Sequence, residues 1–502
     1  MNKIVFRLGT RKSLLAIAQS SWVARELERL NPGIQIELIG IETKGDIVLD
    51  KPLSEIEGKE FFTAEIDQAL LRGEVDLTVH SMKDLSLDRP PQIKLAATPK
   101  RELAHDIIIF HESVVSRLKM GLPIRIGTSS PRRLTLVPEF LKIGLPRIQN
   151  SSEPLLNFIS VRGNVNTRLG RIHESDDSKF KLDAVVLAFA GLERLAMDDK
   201  ASLELKRLLQ GTRKMVLPLR QCPSAPAQGA LAIEARADCT ETVAMIKKLH
   251  DQDTLNAVTQ ERKVLEAWGG GCHQKLGASL LADQTLIIRG VKPDGEWIHE
   301  VRGPSFNLSA FVKVGANDFF DFLATPLDSE SIAALNHAQF IFIAHPRAYE
   351  YLSDPSALLA ESTKKHVWVS GMKSWTALAK NGIWVEGSLE GTGFKKLEEF
   401  RTKLLLDLHS PFLFITHQEA QAHMSHAISS YAHRFREIPN QIKNAKALFW
   451  SSGLLFRTAW TQLGQKWMLS KKHASGPGKT AQVLNEILTP HGVTFDVFNF
   501  ES

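Results

Sequence analysis

A short apolar strand that breaks into a glycine- or serine-bearing turn and then opens a helix recurs through the first ~230 residues, and no other feature constrains the fold as much. Ile4–Leu8 leads through Gly9-Thr10 into Leu14–Leu30, where Leu14, Ile17, Ala18, Trp22 and Leu27 share one face,. Val75–Val79 runs into His80-Ser81-Met82-Lys83-Asp84, and Ile124–Ile126 into Gly127-Thr128-Ser129-Ser130-Pro131-Arg132-Arg133. Phe158–Val161 runs into Arg162-Gly163-Asn164-Val165-Asn166-Thr167-Arg168. Such alternation predicts an α/β fold of two lobes facing a cleft, with ligands at the carboxyl ends of the strands. Composition excludes the main alternatives. Hydrophobic residues at 43% and charged residues at 24% argue against disorder,. The longest nearly apolar run, Ala184–Leu192, falls far short of the ~18 residues of a membrane span. The start lacks the apolar core of a signal peptide, so a cytoplasmic location is expected,. A net charge of +6 over 502 residues permits an acidic ligand without demanding nucleic acid,.

A Pro-rich stretch, Leu217–Gly229, reads as a hinge between the lobes,. After it come a helix over Thr254–Trp268, a Gly269-Gly270-Gly271-Cys272 loop, and strands at Leu286–Val291 and Trp297–Val301 joined by Pro293-Asp294-Gly295. Together they make a small α+β domain over about 252–303,. Beyond ~310 the α/β pattern returns and repeats itself. Phe340–Ala348 resembles Phe412–Ala420, and Ser370-Gly371 with Thr376-Ala377 and Gly382 resembles Ser475-Gly476 with Thr480-Ala481 and Gly492, which predicts two similar half-domains,.

Several constellations carry chemistry. Ser130 suits a helix N-cap and Pro131 the first helical position. Arg132 and Arg133 then oppose the positive end of the helix dipole unless an anion lies nearby, and the amides of Thr128 to Ser130 are placed to bind one. Arg11, Ser13, Arg162, Arg168 and Arg194 stand at other strand-to-helix turns. Guanidinium groups pair bidentately with carboxylates, so a cleft lined by them suits a ligand with several carboxylates, or phosphates. Asp84, beside Lys83, either caps its turn or stays ionised to stabilise a cation or move a proton. Cys272 among glycines reads as a reactive thiol or a structural one; the three cysteines (Cys222, Cys239, Cys272) form no CxxC pair. His423, His426 and His433 could align on a helix, but without HExxH or nearby carboxylates a solvated face is the simpler reading, and no metal site is expected. His473–Thr480 ends like a P-loop but has histidine where the first glycine belongs,.

Over about residues 4–303 the chain resembles the porphobilinogen deaminase (hydroxymethylbilane synthase) family. The matching segments are Leu8–Ser13, Thr43–Asp46, Gly58–Phe62, His80–Asp84, Gly127–Arg133, Arg162–Arg168, Ala190–Arg194, Ala227–Ala230 and Gly269–Cys272. The resemblance implies two lobes folded like type II periplasmic binding proteins, domain 1 (1–103 plus 229–250) and domain 2 (104–228). A third, cofactor-carrying domain follows (251–304). It further implies a dipyrromethane cofactor held by a thioether to Cys272 as primer. Four porphobilinogen units join it head to tail with loss of ammonia, and hydrolysis releases hydroxymethylbilane. Each pyrrole carries an acetate and a propionate, which accounts for the arginines, and loss of ammonia leaves a cation, which accounts for Asp84. By the same likeness Asp84 and Lys83 are catalytic. Arg11, Ser13, Lys83, Thr128, Ser130, Arg132, Arg133, Arg162, Arg168, Arg194, Gln228 and Gly229 hold cofactor and growing chain, and Lys59 and Phe62 belong to a mobile lid. The implied partner is the small-molecule substrate, with no nucleic acid or membrane, and the deaminase part is implied to be monomeric.

Residues 310–502 resemble uroporphyrinogen-III synthase through Gly476–Ala481 followed by Leu484 and through Gly371 with Thr376-Ala377. This implies cyclisation of the linear tetrapyrrole by a two-lobed α/β region. Its usual opening turn is missing, its Thr-Ser-Ala-Asn stretch reads Ala344-His345-Pro346-Arg347, and its tyrosine is not evident near Arg436–Pro439. A non-catalytic, degenerate domain is the alternative. For the whole chain, the rival of another class is a ligand-binding sensor, which gives no reason for the glycine-cysteine loop.

Overall fold

Strand β1 (Ile4–Arg11) runs into a helix over Leu14–Leu30, as the apolar periodicity predicts. Ser13 fixes its start, its hydroxyl accepting a hydrogen bond from the Ala16 amide at 3.3 Å,. The buried face is rotated from the predicted one. Ala18, Val23, Ala24 and Leu27 are buried, Trp22 packs only partly against the core, and Leu14 is 44% exposed. The helix lies across β1 and its two sheet neighbours, and that contact selects the Val23–Leu27 stripe. Full burial of Val23 and Leu27 stabilises the lobe by roughly 1.5–3 kcal/mol each,.

The computed structural model describes residues 3–43, 63–148, 153–271, 274–303, 308–359, 365–390, 412–422, 424–476 and 478–498. In chain order the next strands are β2 (Ile34–Ile41), β3 (Leu77–Ser81), β4 (Ile93–Ala97), β5 (Asp106–His111), β6 (Ile124–Gly127), β7 (Leu156–Ile159), β8 (Ala184–Ala188), β9 (Thr212–Val216) and β10 (Leu231–Arg236). They build two five-stranded sheets, ordered β2-β1-β3-β10-β4 and β7-β6-β8-β5-β9. β1 is parallel to β2 and β3, and β6 to β7 and β8. β10 runs antiparallel to both β3 and β4, and β5 to both β8 and β9. The chain thus leaves the first sheet after β4, completes the second, and returns to insert β10 between β3 and β4. Two crossings join the lobes, one near residues 98–105 and one in the Pro-rich stretch.

A helix over Gln252–Ala267 precedes a three-stranded sheet, β11 (Leu276–Leu280), β12 (Leu286–Val291) and β13 (Trp297–Arg302), in that order. The Pro293-Asp294-Gly295 turn closes with Gly295 donating to the Lys292 carbonyl at 3.0 Å. β11 lies against the Pro-rich stretch, the Ala278 amide donating to the Ser224 carbonyl at 3.0 Å.

Residue contacts divide the chain into two compact units. One comprises Met1–Lys142, Asn150–Leu280 and Ile287–Glu300; the other comprises Ile143–Gln149, Leu281–Leu286 and Val301–Ser502. The second unit holds β14 (Val312–Val314), β15 (Phe320–Ala324), β16 (Phe340–Ile343), β17 (His366–Val369), β18 (Gly387–Ser388), β19 (Phe412–His417), β20 (Ala427–Phe435), β21 (Ala447–Trp450), β22 (Lys472–Ser475) and β23 (Asp496–Val497). They form a six-stranded sheet, β15-β20-β19-β16-β17-β18, and a four-stranded one, β14-β21-β22-β23.

Two expectations are corrected here. The similar segments Phe340–Ala348 and Phe412–Ala420 do not lie in separate halves. β16 and β19 are parallel neighbours in one sheet, Phe340 opposite Phe412 and Ile343 opposite Ile415. Both strands are central and buried on two faces, so both read as the same apolar run. The glycine-threonine segments do fall on different sheets, after β17 and after β22. The histidines at 426 and 433 occupy no helix: His426 precedes β20 and His433 lies in it, while His423 is outside the described residues. Among the described residues no helix is long and apolar enough to cross a membrane.

Candidate active site and a second cavity

β3 ends at Ser81 and passes into a single 3₁₀ turn, Met82–Asp84. The turn is held at both ends. Met82 is buried and its amide donates to the Ala230 carbonyl at 3.0 Å. Arg262, from the helix Gln252–Ala267, donates to the carbonyls of Met82, Leu85 and Ser86 at 2.9, 3.1 and 2.8 Å. Asp84 is consequently exposed on a fixed backbone. Lys83 is half-buried and makes no hydrogen bond or ion pair with a described residue. Burial pulls its ammonium pKa down, opposed by Asp84 and Asp106 and reinforced by Arg133 and Arg132,.

Those two arginines open the helix Pro131–Gly144. Instead of facing solvent with their charges free, they converge on Asp106, which is completely buried. Arg132 Nη1 donates to Asp106 Oδ2 at 2.7 Å, and Arg133 Nη2 and Nε donate to Oδ1 at 2.7 and 3.2 Å. The anion expected beside this helix start is therefore a carboxylate of the chain itself. Burial alone would raise the Asp106 pKa, yet Arg132 and Arg133 hold it well below the ordinary carboxylate range,. Thr128 and Ser130 also use their amides internally, Thr128 to the Ile159 carbonyl at 3.0 Å and Ser130 to the Thr128 hydroxyl at 3.3 Å. The Arg132 Nε atom is buried without a hydrogen-bond partner among the described residues.

On the same sheet, Arg162 and Arg168 are half-buried where β7, the parallel neighbour of β6, gives way to the helix Val165–Gly170. Arg168 donates to the Gly163 carbonyl at 2.8 Å. Its pKa is pulled down to about 10 by burial and by the like charges of Arg133, Arg162 and Arg171, with Asp84 opposing. Lys83, Asp84, Arg133, Arg162 and Arg168 are thus electrostatic neighbours between the sheets. Arg11, the last residue of β1, is felt by His80 on β3; Ser13 serves as the helix cap already described.

Arg194 lies in the helix Phe189–Ala196 that follows β8, Gln228 and Gly229 lie at the end of the Pro-rich crossing, and all three are buried. Arg194 is buried and donates to the Gly229 carbonyl at 2.6 Å, burial drawing its pKa down to about 10. Gln228, fully buried, donates to the Ala104 carbonyl at 2.7 Å and to Asp106 Oδ1 at 2.9 Å. Gly229 has φ +88°, and a Cβ there would lie 2.4 Å from the Glu102 carbonyl oxygen. Arg101 and Glu261 complete the joint. The fully buried Glu261 accepts from both Arg101 Nη atoms and from the amides of Ala227 and Leu280, all between 2.8 and 2.9 Å.

Cys272, Lys59 and Phe62 lie outside the described residues. The loop before Cys272 needs its glycines: Gly269, Gly270 and Gly271 have φ of 88°, 69° and 90°,. A Cβ on Gly270 would stand 3.3 Å from Leu87 Cδ1, so this loop abuts the chain just beyond Asp84.

The family described as "Porphobilinogen deaminase, dipyromethane cofactor binding domain" matches residues 6–244. The porphobilinogen deaminase of Trichlorobacter lovleyi is 39% identical over 285 residues, 57% of this chain and 81% of that protein. That of Syntrophotalea carbinolica is 39% identical over 293 residues, 58% of this chain and 83% of that protein. The chain belongs to the porphobilinogen deaminase family. Its N-terminal part is accordingly a porphobilinogen deaminase, an enzyme of porphyrin biosynthesis that uses a dipyrromethane cofactor. Among solved structures, the BenM effector-binding domain aligns with a TM-score of 0.26 and 13% identity, over 54% of this chain and 96% of that one, a likeness too slight to carry an argument.

The deaminase residues fit such a cofactor. A region where Arg168 is destabilised by three neighbouring guanidinium groups, and where Lys83 has no hydrogen bond or ion pair to a described residue, favours an incoming group with several carboxylates,. The joint of Arg101, Asp106 and Glu261, and the Arg262 clamp, escape sequence reasoning. Their partners lie up to 180 positions away, and nothing local marks them.

The second unit contains a cavity of about 840 Å³ between its two sheets. Lys313, Arg347 and Lys373 supply positive charge to its lining, and Phe322 and Tyr431 aromatic surface. Arg347 lies over the Phe322 ring, 3.9 Å from its centroid,. Burial, then Arg347 and Lys373, push His345 down to about 4, and burial pushes Tyr431 up to about 12. His473 of the P-loop-like segment is no ligand-binding group. It is buried in β22, accepting from Trp450 Nε1 at 3.0 Å and donating to the Met468 carbonyl at 2.9 Å.

Proposed function

We propose that Asp84, exposed on its clamped turn, is the group that serves each successive condensation of porphobilinogen, and that Cys272 carries the dipyrromethane. The bound cofactor supplies a primer to which the chain is added. Asp84 stabilises the cation left in the substrate when ammonia departs and receives and returns the pyrrole proton. Lys83 and the guanidinium groups of Arg11, Arg162 and Arg168 bind acetate and propionate side chains, with Arg133 adding to the field. Ser13, Thr128 and Ser130 orient backbone at the same strand ends, Lys59 and Phe62 close over them, and Arg132, Arg194, Gln228 and Gly229 set the angle between the lobes. The proposed domains are 1–103 with 229–250, 104–228, and 251–304. The observation that carries this reading is one exposed carboxylate, Asp84, with Lys83 and Arg168 as electrostatic neighbours, while Arg132 and Arg133 are already paired with the buried Asp106. Asp84→Ala is expected to retain the covalent adduct by intact mass and to lose turnover; near-normal turnover would refute the role.

For residues 310–502 we propose cyclisation of the linear tetrapyrrole in the cavity between the two sheets. Lys313, Arg347 and Lys373 support it, being placed to pair with ring carboxylates,. Supplying porphobilinogen to the full chain and identifying the product isomer tests this separately from the deaminase. Uroporphyrinogen III is expected; isomer I alone would mean a degenerate, non-catalytic domain.

A further inference from the structure

We propose that His417, Glu419 and His433 form a binding site for a divalent transition metal of the zinc, cobalt or nickel class, on the wall of the C-terminal cavity. This inference is independent of the cyclisation reading. His417 ends β19, Glu419 lies in the single helical turn that follows, Gln418–Gln421, and His433 sits on the neighbouring β20. Glu419 Oε2 stands 2.9 Å from His417 Nδ1 and 2.8 Å from His433 Nδ1. Each residue offers one ligand atom, and these atoms all lie within 4.8 Å of one another. Nitrogen and oxygen ligands about 2.0–2.2 Å from zinc stand roughly 3.4 Å apart in a tetrahedron, so the two carboxylate–imidazole separations of 2.9 and 2.8 Å open slightly to admit the ion.

A second observation points the same way. The Ala420 amide donates to His417 Nδ1 at 3.2 Å. That nitrogen then presents no proton to Glu419, and a lone pair faces a carboxylate oxygen at hydrogen-bond distance. A cation between them turns this opposition into coordination, and the contact given up is the longest of the three. Side-chain exposures of 40% for Glu419, 22% for His417 and 7% for His433 leave a route for the ion. Three protein ligands leave a fourth position for water or an oxygen of a bound ligand. Imidazole and carboxylate together select zinc, cobalt and nickel over calcium or magnesium. The other cluster of this kind among the described residues, Asp67, His80 and Glu234, is filled already. Arg89 donates to both of its carboxylates at 2.6–3.0 Å and occupies the place a cation would take.

The full chain, stripped with chelator, should bind one equivalent of Co²⁺ with visible d–d absorption that Zn²⁺ displaces. Two variants locate the ion. Glu419→Gln removes the shared carboxylate, and His417→Asn removes a ligand while keeping a residue able to cap the following turn. Each is expected to weaken binding by more than the roughly 10–100-fold that losing an outer-shell partner costs, with the far-UV circular dichroism unchanged. Absence of a saturable band, a thiolate charge-transfer band in its place, or equal affinity in folded variant and parent would overturn the site.

Discussion

At the scale of single residues, Asp106 decides how the arginines are used. Its carboxylate neutralises Arg132 and Arg133 inside the lobe, so removing it strands two buried guanidinium groups. Asp106→Asn should destabilise the folded chain by about 3–5 kcal/mol in denaturant unfolding. A cost below 1 kcal/mol would mean that solvent or another anion already shares the pair. Because the folded pKa of Asp106 is depressed, its contribution is full above the ordinary carboxylate pKa of about 3.9 and is lost as pH falls below it,. His345 acts from the other direction. Its folded pKa of about 4 lies under the unfolded value of 6.5. Protonation therefore favours the unfolded state, and stability declines as pH drops from about 6.5 toward 4. Titrating the acid unfolding of His345→Gln against the parent should remove the part of the decline above pH 4.

At the scale of elements, the helix Gln252–Ala267 governs the reactive turn through Arg262 and the lobe joint through Glu261. Arg262→Ala frees three carbonyls around Lys83 and Asp84. A misplacement of about 1 Å at a reacting group costs on the order of 100-fold. Turnover should fall by that order while KM changes little; an equal rise in KM at constant kcat would assign Arg262 to substrate binding instead. Gly229→Ala adds a Cβ 2.4 Å from a carbonyl oxygen at a φ of +88°, which should cost about 1–3 kcal/mol. How legible each element was follows from where its determinants lie. The helix Leu14–Leu30 and the strand Leu286–Val291 are written in local periodicity and capping, and the structure places both at the bounds read from the sequence. The glycine loop before Cys272 was legible because only glycine adopts three successive positive φ values. By contrast, β10 joins β3 and β4 across more than 130 positions, and the kinship of β16 with β19 reflects shared burial rather than duplication. The exposed Asp84 and the arginines beyond the strands could be found from strand-end logic. The destination of Arg132, Arg133 and Gln228 could not, because Asp106 is an ordinary residue in an apolar strand until the fold closes around it.

At the scale of the whole molecule, the described structure joins a deaminase to a second unit whose own cavity is lined with cations and imidazoles. Arg168 and Arg194, both drawn below their usual pKa, oppose folding while charged, and carboxylates arriving at Arg168 relieve part of that cost,. Cofactor-free protein should therefore melt several degrees below the loaded form, with the difference diminishing at high salt. The claim on which the rest depends is covalent: the first unit holds dipyrromethane on Cys272. Intact-mass analysis of active, purified chain, followed by peptide mapping, measures it most directly. An increment of two condensed pyrrole units located on Cys272 is the predicted result. Active protein of unmodified mass, or an adduct on another residue, would contradict it.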